Sequence, residues 1–226
     1  MNKFIAVLSM SLALVVSGNV SAAGDIAKGK ASATKKGCMG CHGADGNSFI
    51  AANPKLAGQS VSYMVKQLKD FKSKKRLNVI MSGQAAGLSD EEMLNISAYF
   101  AAQAPKAGLA KQEIKELGKR IYIGGNKKSG VPACIGCHGP VGEGNDAAMF
   151  PSLGGQHEAY TVNQLKLFRT AGLVWLEHKN AGTNLPEKRD GRTNDKGAKM
   201  QAAALRLTDA EIKAVASYLQ GLRLRK

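Results

Sequence analysis

The chain has 226 residues, of which 44% are hydrophobic and 22% are charged, a composition that excludes a disordered or fibrous protein. Lysine and arginine number 32 against 17 acidic residues, and the formal net charge of +15 favours an anionic partner. Aromatic residues make up only 5%, and four cysteines are too few for a disulfide scaffold of this length, so their spacing becomes the informative feature.

The first 22 residues have the features of a cleavable export signal. Lys3 precedes a run at positions 4–16 that is apolar apart from two serines, and residues 20–22 suit cleavage after Ala22. The run is shorter than the roughly 20 residues that span a bilayer, which disfavours an uncleaved anchor. We therefore expect residues 1–22 to be a signal peptide and the mature protein to lie in the periplasm.

The remainder of the chain contains one sequence repeated twice. The hexapeptide Cys-Met-Gly-Cys-His-Gly at 38–43 returns with one change at 134–139. Further matches follow at an offset of 97 up to position 168 and at an offset of 119 from position 207, which places 22 extra residues in the second copy. The repeat predicts two tandem domains, at 23–105 and 106–226.

Both copies have a helical pattern, and neither contains a convincing strand alternation, so the predicted fold class is all-α. The expected helices lie, in chain order, at residues 25–36, 60–74, 89–102, 111–123, 157–170 and 208–222. The closing helix of each copy has a capping-box sequence, with Ser89 or Thr208 followed three residues later by Glu92 or Glu211. Each domain is therefore predicted to be small and helical.

All four cysteines lie in two Cys-x-x-Cys-His motifs, which are Cys38, Cys41 and His42, and Cys134, Cys137 and His138. This spacing is typical of covalent haem attachment, because two thiols form thioethers with the haem vinyl groups and the adjacent imidazole reaches the iron. A shared zinc site, a thioredoxin-like dithiol and two disulfide loops are the alternatives. Each cysteine pair lies in its own repeat, which counts against a shared zinc site. The lack of a βαβ pattern counts against a thioredoxin-like dithiol. Two disulfide loops would leave the two histidines unexplained. We predict two haem c groups, one per domain, which also explains the shortage of aromatic core residues.

The second axial ligand of each iron is inferred from the repeat. The first domain has no second histidine, and its candidate methionines are Met64, Met81 and Met93. Only Met81 keeps a methionine counterpart, Met200, so we predict Met81 and Met200 as ligands on loops before the last helices. His157 and His178 are rivals in the second domain. Neither belongs to the shared pattern, and we expect both at the surface.

Pro54 and Pro151 occupy equivalent places after the two motifs. A backbone carbonyl at this position is expected to accept the N–H of the proximal imidazole and fix its orientation. A simple turn proline is the alternative interpretation.

Two basic segments are expected to steer docking onto an acidic partner or an anionic membrane surface. They are Lys72, Lys74, Lys75 and Arg76, and Arg223, Arg225 and Lys226. A solvated face with no partner is the alternative, and nucleic acid is not expected to bind an exported protein.

These features together resemble the dihaem cytochrome c4 family over nearly all of the mature chain. Besides the haem motifs, the likeness rests on shared short segments, which are Pro-x-Leu-x-Gly-Gln at 54–59 and 151–156, Gln-Leu at 67–68 and 164–165, and Gly-Arg-Thr-Asn-Asp at 191–195. The resemblance implies two class I cytochrome c domains related by a pseudo-twofold axis, with haem propionates near their interface. It implies His42 and Met81 on one iron, and His138 and Met200 on the other.

The expected function is electron transfer without bond-making catalysis. The resemblance implies a periplasmic shuttle between a quinol-oxidising cytochrome complex (quinol–cytochrome c reductase) and a terminal oxidase. One alternative is the cytochrome subunit of a periplasmic dehydrogenase, such as a flavocytochrome that oxidises sulfide. A dihaem peroxidase is less favoured, because it needs an iron with an open or displaceable ligand.

Overall fold

The computed structural model describes residues 24–185 and 190–224, which form two helical units. The first unit consists of α1 Ile26–Lys35, α2 Cys38–His42, α3 Val61–Lys72, α4 Val79–Ala86 and α5 Asp90–Ala101. The second unit consists of α6 Gln112–Gly124, α7 Ile135–His138, α8 Glu158–Ala181, α9 Lys199–Ala204 and α10 Asp209–Gly221, with a 3-10 turn at Lys196–Ala198. Within these ranges β-pairing is limited to two isolated bridges, and the predicted all-α class is confirmed.

The predicted signal peptide at residues 1–22 lies outside the described residues, as do Arg225 and Lys226 of the basic tail. Over residues 24–185 and 190–224, no helix combines the length and the apolar character that crossing a bilayer requires.

The six predicted helices are all present as α1, α3, α5, α6, α8 and α10. Both capping boxes are confirmed, since Ser89 and Thr208 accept from the backbone of Glu92 and Glu211, whose carboxylates accept in return. The prediction was wrong about the length of α8, which continues past residue 170 to Ala181. The inserted residues 171–181 include Ala, Leu, Glu and Lys, which favour helix, and α8 ends where Gly182 adopts a left-handed conformation.

Each unit is built on a close crossing of its first and last long helices. Gly29 of α1 faces Asn95 of α5, and a Cβ at this glycine would lie 1.9 Å from the Asn95 carbonyl oxygen. Gly118 of α6 faces Ala214 of α10, where a Cβ would lie 2.1 Å from the carbonyl oxygen. Any larger residue would force the helices apart, so these glycines set the crossing that closes each core.

The two units meet through a reciprocal pair of glutamines. The Gln59 side chain accepts from the backbone N–H of Ser152 and donates to its carbonyl, both at 2.9 Å. The Gln156 side chain makes the same two bonds with Lys55, also at 2.9 Å. Because Gln59 corresponds to Gln156 and Lys55 to Ser152 at the offset of 97, the contacts repeat about an approximate twofold axis.

Candidate haem-binding sites and the interface between them

The two Cys-x-x-Cys-His motifs each fold as a single helical turn. The first motif is α2, and the second is Cys134 followed by α7. In this conformation residues three and four apart lie on the same face, which brings each pair of thiols next to its imidazole. Cys38 and Cys134 are half-buried against the two hydrophobic cores, whereas Cys41 and Cys137 are exposed. All four thiols are free in the structure, so each motif presents two sulfur atoms for thioether bonds.

Both motif histidines are buried and held in the same orientation. The His42 Nδ1 atom lies 2.9 Å from the Pro54 carbonyl oxygen, and the His138 Nδ1 atom lies 3.0 Å from that of Pro151. Because these carbonyls can only accept, Nδ1 carries the proton and Nε2 keeps the lone pair that an iron ligand needs. Burial lowers the pKa of each histidine, and the carbonyl only partly opposes this, so the neutral form predominates.

Met81 and Met200 lie in short helices, and the prediction that they sit on loops was wrong. Met81 is in α4, where its N–H donates to Asn78 Oδ1 at 2.9 Å. Met200 is in α9, where its N–H donates to Asp195 Oδ2 at 2.7 Å. A side-chain acceptor upstream of each methionine satisfies a backbone donor that the first helical turn leaves open, which is why short helices form there.

The structure brings the predicted ligands together more completely in the second unit. Cys134 and Met200 both pack against the same buried cluster, which is centred on Phe168, Ile212 and Val215. In the first unit Cys38 packs against the core that contains Met64 and Met93. These two methionines fill the core, whereas Met81 stays half-buried on α4 beside the exposed Val79 and Ile80.

The two rival histidines are engaged elsewhere. His157 Nε2 lies 2.7 Å from the Ser48 carbonyl oxygen, so this ring is half-buried between the units, not on the outer surface as predicted. His178 Nδ1 lies 2.9 Å from the Val174 carbonyl oxygen within α8. Of the rival histidines, His157 is therefore an interface residue.

Arg76 is also an interface residue, which corrects its assignment to a docking segment. Its guanidinium donates to Gln67 Oε1 at 2.8 Å within the first unit. It reaches across to Tyr160 Oη at 2.9 Å and Gln164 Oε1 at 2.8 Å, and it stacks on the Phe71 ring at 4.6 Å. Lys72, Lys74 and Lys75 remain exposed.

Arg192 makes the equivalent contacts from the second unit. It donates to Gln164 Oε1 at 2.9 Å, to Tyr63 Oη at 2.9 Å and to Gln67 Oε1 at 3.0 Å, and its guanidinium stacks on Phe168 at 4.5 Å. The acceptors of both arginines among the described residues are neutral oxygens. Burial alone would raise the pKa of Tyr63, but the two guanidinium groups outweigh it and lower that pKa. The centre of the interface is therefore strongly positive and favours an anion.

Sequence reasoning missed this cluster although part of its signal was present. Tyr63 and Gln67 match Tyr160 and Gln164 at the offset of 97, but these identities were assigned only to a helix face. Arg76 matches Arg192 at an offset of 116, inside the region where the insertion shifts the register, so the correspondence was not apparent before the structure.

The donor set of each unit fits a haem. Two free thiols, a buried neutral imidazole oriented through Nδ1 and a half-buried thioether are the groups that hold haem c in a His/Met site. The buried guanidinium pair supplies the positive charge that haem carboxylates need. Fold and site together define a c-type cytochrome with two tandem haem-binding domains.

Comparisons with known proteins agree with this class. The cytochrome c family model matches residues 26–104 and 115–223. The cytochrome c4 of Pseudomonas aeruginosa is 42% identical over 98% of this chain and 100% of its own length. The crystal structure of reduced cytochrome c4 from Pseudomonas stutzeri superposes with a TM-score of 0.75 and 37% identity, covering 89% of this chain and 100% of the other. This chain belongs to the cytochrome c4 family, and it is a dihaem electron carrier with two covalently bound haem c groups.

A further relative has a more specific name. A protein of Stutzerimonas stutzeri named as a thiosulfate dehydrogenase electron acceptor is 38% identical over 84% of this chain and 81% of its own length. One relative of this chain is therefore named for its electron donor.

Proposed function

We propose that this protein is a periplasmic shuttle that accepts electrons from a quinol-oxidising cytochrome complex and passes them to a terminal oxidase. Export rests on the basic and apolar start of the chain at residues 1–22. The domain limits are 23–105 and 106–226. The observation that carries the electron-transfer role is the pair of buried imidazoles, His42 and His138, each oriented by a proline carbonyl in a matched unit.

In this proposal each haem is held by residues of a single domain. The thioether bonds come from Cys38 and Cys41 in one domain and from Cys134 and Cys137 in the other. The axial ligands are His42 with Met81, and His138 with Met200, and the carbonyls of Pro54 and Pro151 orient the imidazoles. A bound haem supplies an iron that alternates between the ferric and ferrous states. Neutral imidazole and thioether ligands favour the ferrous form and raise the reduction potential.

Two protein ligands per iron would also prevent a substrate or peroxide from binding to the iron. A substrate or peroxide needs an open or displaceable coordination position, and paired histidine and methionine ligands fill both axial positions. Arg76 and Arg192 would hold haem carboxylates at the interface through charge-assisted hydrogen bonds. Both guanidinium groups lie at the contact between the domains, so carboxylates bound there would bring the two haems toward one interface, which suits electron exchange between domains.

The partner surface is proposed to be acidic. Lys72, Lys74 and Lys75 form an exposed basic segment at the C-terminal end of α3, and the net charge of the chain is +15 before the haem carboxylates are counted. Electrostatic attraction of this kind raises association rates and weakens with salt. An anionic membrane surface is a second place to which the same charge would bring the protein.

A second candidate function is supported by the relative named as a thiosulfate dehydrogenase electron acceptor. On this reading the protein accepts electrons from a periplasmic dehydrogenase instead of a quinol-oxidising complex. The same two haems serve either donor, so the donors must be compared directly.

The test uses the full-length holoprotein purified from the periplasm. The haems are counted by pyridine haemochrome, and the weak red band of sulfur bound to ferric iron is measured. Two haems with the band at full strength support the shuttle, whereas a halved or missing band would favour a peroxidase-type enzyme with one open iron.

Partner choice is then tested by kinetics. Reduction rates with a quinol-oxidising complex and with a thiosulfate dehydrogenase are compared, and oxidation by terminal-oxidase membranes is followed as salt increases. The rates are expected to fall steeply with ionic strength, more weakly in Lys74→Glu/Lys75→Glu than in the charge-matched control Lys119→Glu/Arg120→Glu. A rate that is independent of salt would exclude electrostatic steering.

A further inference from the structure

The two methionine helices are anchored differently. In the first domain Asn78 lies three residues before Met81 and caps α4 directly. Its counterpart by the Arg-x-Asn match is Asn194, which lies six residues before Met200. The three additional residues correspond to the 3-10 turn at Lys196–Ala198. Asn194 is therefore too far away to cap α9, and its side chain is used elsewhere.

Asn194 reaches across the interface to α3 of the first domain. Its Nδ2 atom donates to Asp70 Oδ2 at 2.6 Å and to Gln67 Oε1 at 3.0 Å. The backbone carbonyl oxygen of Asn194 accepts from Lys66 Nζ at 2.7 Å. Two of these bonds involve a charged partner, and such bonds are stronger than those between neutral groups. The segment is held on domain one by three residues of one helix.

The next residue holds the helix that carries Met200. Asp195 Oδ2 accepts from the N–H of Met200 at 2.7 Å and from the N–H of Gln201 at 3.3 Å. Asp195 Oδ1 accepts from the Gln201 side chain at 2.7 Å, and Gln201 is almost fully buried. Adjacent residues thus bind domain one and fix the first turn of α9.

The approach to this segment also depends on a close backbone contact. Gly191 has a φ of +90° and lies so near α8 that a Cβ would come within 2.4 Å of the Leu167 carbonyl oxygen. The N–H of Arg192 donates to the same carbonyl at 2.9 Å. The segment is therefore fixed on α8 at its beginning, on domain one at Asn194 and on α9 at Asp195.

We propose that residues 192–195 form an interdomain clasp that positions the Met200 thioether, so that the sixth ligand of the second iron depends on domain one. Asn194 and Asp195 are positioning residues. The inference rests on the proposed ligation by Met200. Arg76 crosses the interface as Arg192 does, but Met81 lacks the further contacts of the clasp, because its cap, Asn78, belongs to its own domain and α4 forms no comparable bond across the interface among the described residues. The two haem sites are therefore unequal in how readily their methionine is displaced.

The test measures displacement of methionine by imidazole in the ferric, full-length holoprotein. In a Met81→Ala background the sulfur–iron band reports Met200 alone. Asn194→Ala should lower the imidazole concentration that removes half of this band about tenfold, the effect of losing hydrogen bonds to a charged partner. Asp70→Ala removes the domain-one acceptor of the Asn194–Asp70 hydrogen bond. Because Asp70 itself does not contact Met200, this variant should give the same shift only if the clasp acts through domain one. The double variant should add little to either single change.

Two controls separate the clasp from general weakening of the interface. Gln59→Ala removes two hydrogen bonds between the domains outside the clasp and should leave the displacement unchanged. Asn194→Ala in a Met200→Ala background should leave displacement of Met81 unchanged.

Each outcome bears on the inference. Unchanged displacement in both Asn194→Ala and Asp70→Ala would overturn the clasp while leaving the proposed ligation intact, and so would an equal shift in Gln59→Ala. A wild-type protein without the sulfur–iron band would overturn the ligation and the clasp together.

Discussion

Arg76 and Arg192 donate to the same atom, Gln164 Oε1, from opposite domains, at 2.8 and 2.9 Å. They also share Gln67 Oε1, at 2.8 and 3.0 Å. Two like charges thus meet through neutral amide oxygens at a buried contact. Such an arrangement is costly unless anions lie beside it. The Asp70 carboxylate acts on Arg76, and the haem carboxylates that we propose at this interface would add further negative charge.

Arg76→Gln and Arg192→Gln are expected to weaken the contact between the domains by similar amounts. Both guanidinium groups bond to Gln67, Gln164 and a tyrosine of the other domain and stack on a phenylalanine, and the additional bond of Arg192 to Asn194 lies within its own segment. Losing a guanidinium bonded to several buried oxygens should cost about 2 kcal/mol of unfolding free energy, or a Tm lower by about 4–8 °C. Calorimetry of the holoprotein measures the change and shows whether the domains begin to unfold separately. The exposed Arg120→Gln serves as the control. Strongly unequal effects of the two interface variants would contradict the equivalence.

Met81→Ala and Met200→Ala are each expected to remove half of the ferric sulfur–iron band, since each deletes one of the two proposed thioether ligands. The double variant should remove the band entirely while keeping two haems per chain, because the cysteines are untouched. The absorption spectrum of the oxidised holoprotein gives the amplitude of this band in each variant. Met149→Ala, which alters a partly exposed methionine outside the proposed ligand set, is the control. A full band in either ligand variant would remove that methionine from the set.

The haem motifs could be predicted from sequence because their chemistry is local. Cys38, Cys41 and His42 lie within one helical turn, so their spacing alone specifies the site. The pairing of Met81 with Met200 needed only the repeat. Their helices, α4 and α9, were not predicted, because helices of eight and six residues carry little periodicity and depend on the side-chain acceptors Asn78 and Asp195.

The interface required the structure. Tyr160 lies 84 residues from Arg76, and hydrogen bonds across domains leave no periodic pattern. The equivalence of Arg76 and Arg192 is further hidden by the insertion. Gly29 and Gly118 were equally unremarkable in sequence, because a glycine that permits two helices to touch resembles one at any helical position.

Gly29→Ala and Gly118→Ala are expected to destabilise their own domains. Alanine would gain about 1 kcal/mol of helix propensity. However, its Cβ would meet a backbone carbonyl that cannot rotate away, and overpacking of this kind costs about 1–3 kcal/mol or more. The steric cost should win, with a net loss of about 2 kcal/mol and a Tm lower by about 4–8 °C. Thermal unfolding provides the measurement.

Gly124→Ala is the matched control for Gly118→Ala, because it lies on the same helix α6 and a Cβ there would meet no atom within 4 Å. It should leave the Tm unchanged or raise it slightly. If Gly118→Ala proved as stable as Gly124→Ala, the helices would not cross as closely as described.

The interface is expected to weaken in acid through His157. Burial lowers the pKa of His157 below its ordinary 6.5, and the nearby Lys55 acts in the same direction against the Ser48 carbonyl. The folded state therefore binds fewer protons than the unfolded state. The stabilisation is complete above about pH 6.5 and declines as the pH falls toward the folded-state pKa. The fall in Tm between about pH 8 and about pH 5 should be smaller in His157→Gln, which can still donate to Ser48 but cannot be protonated. His178→Gln, whose ring contacts only its own helix through Val174, should behave like the wild type. An unchanged pH dependence in His157→Gln would exclude this residue as the source.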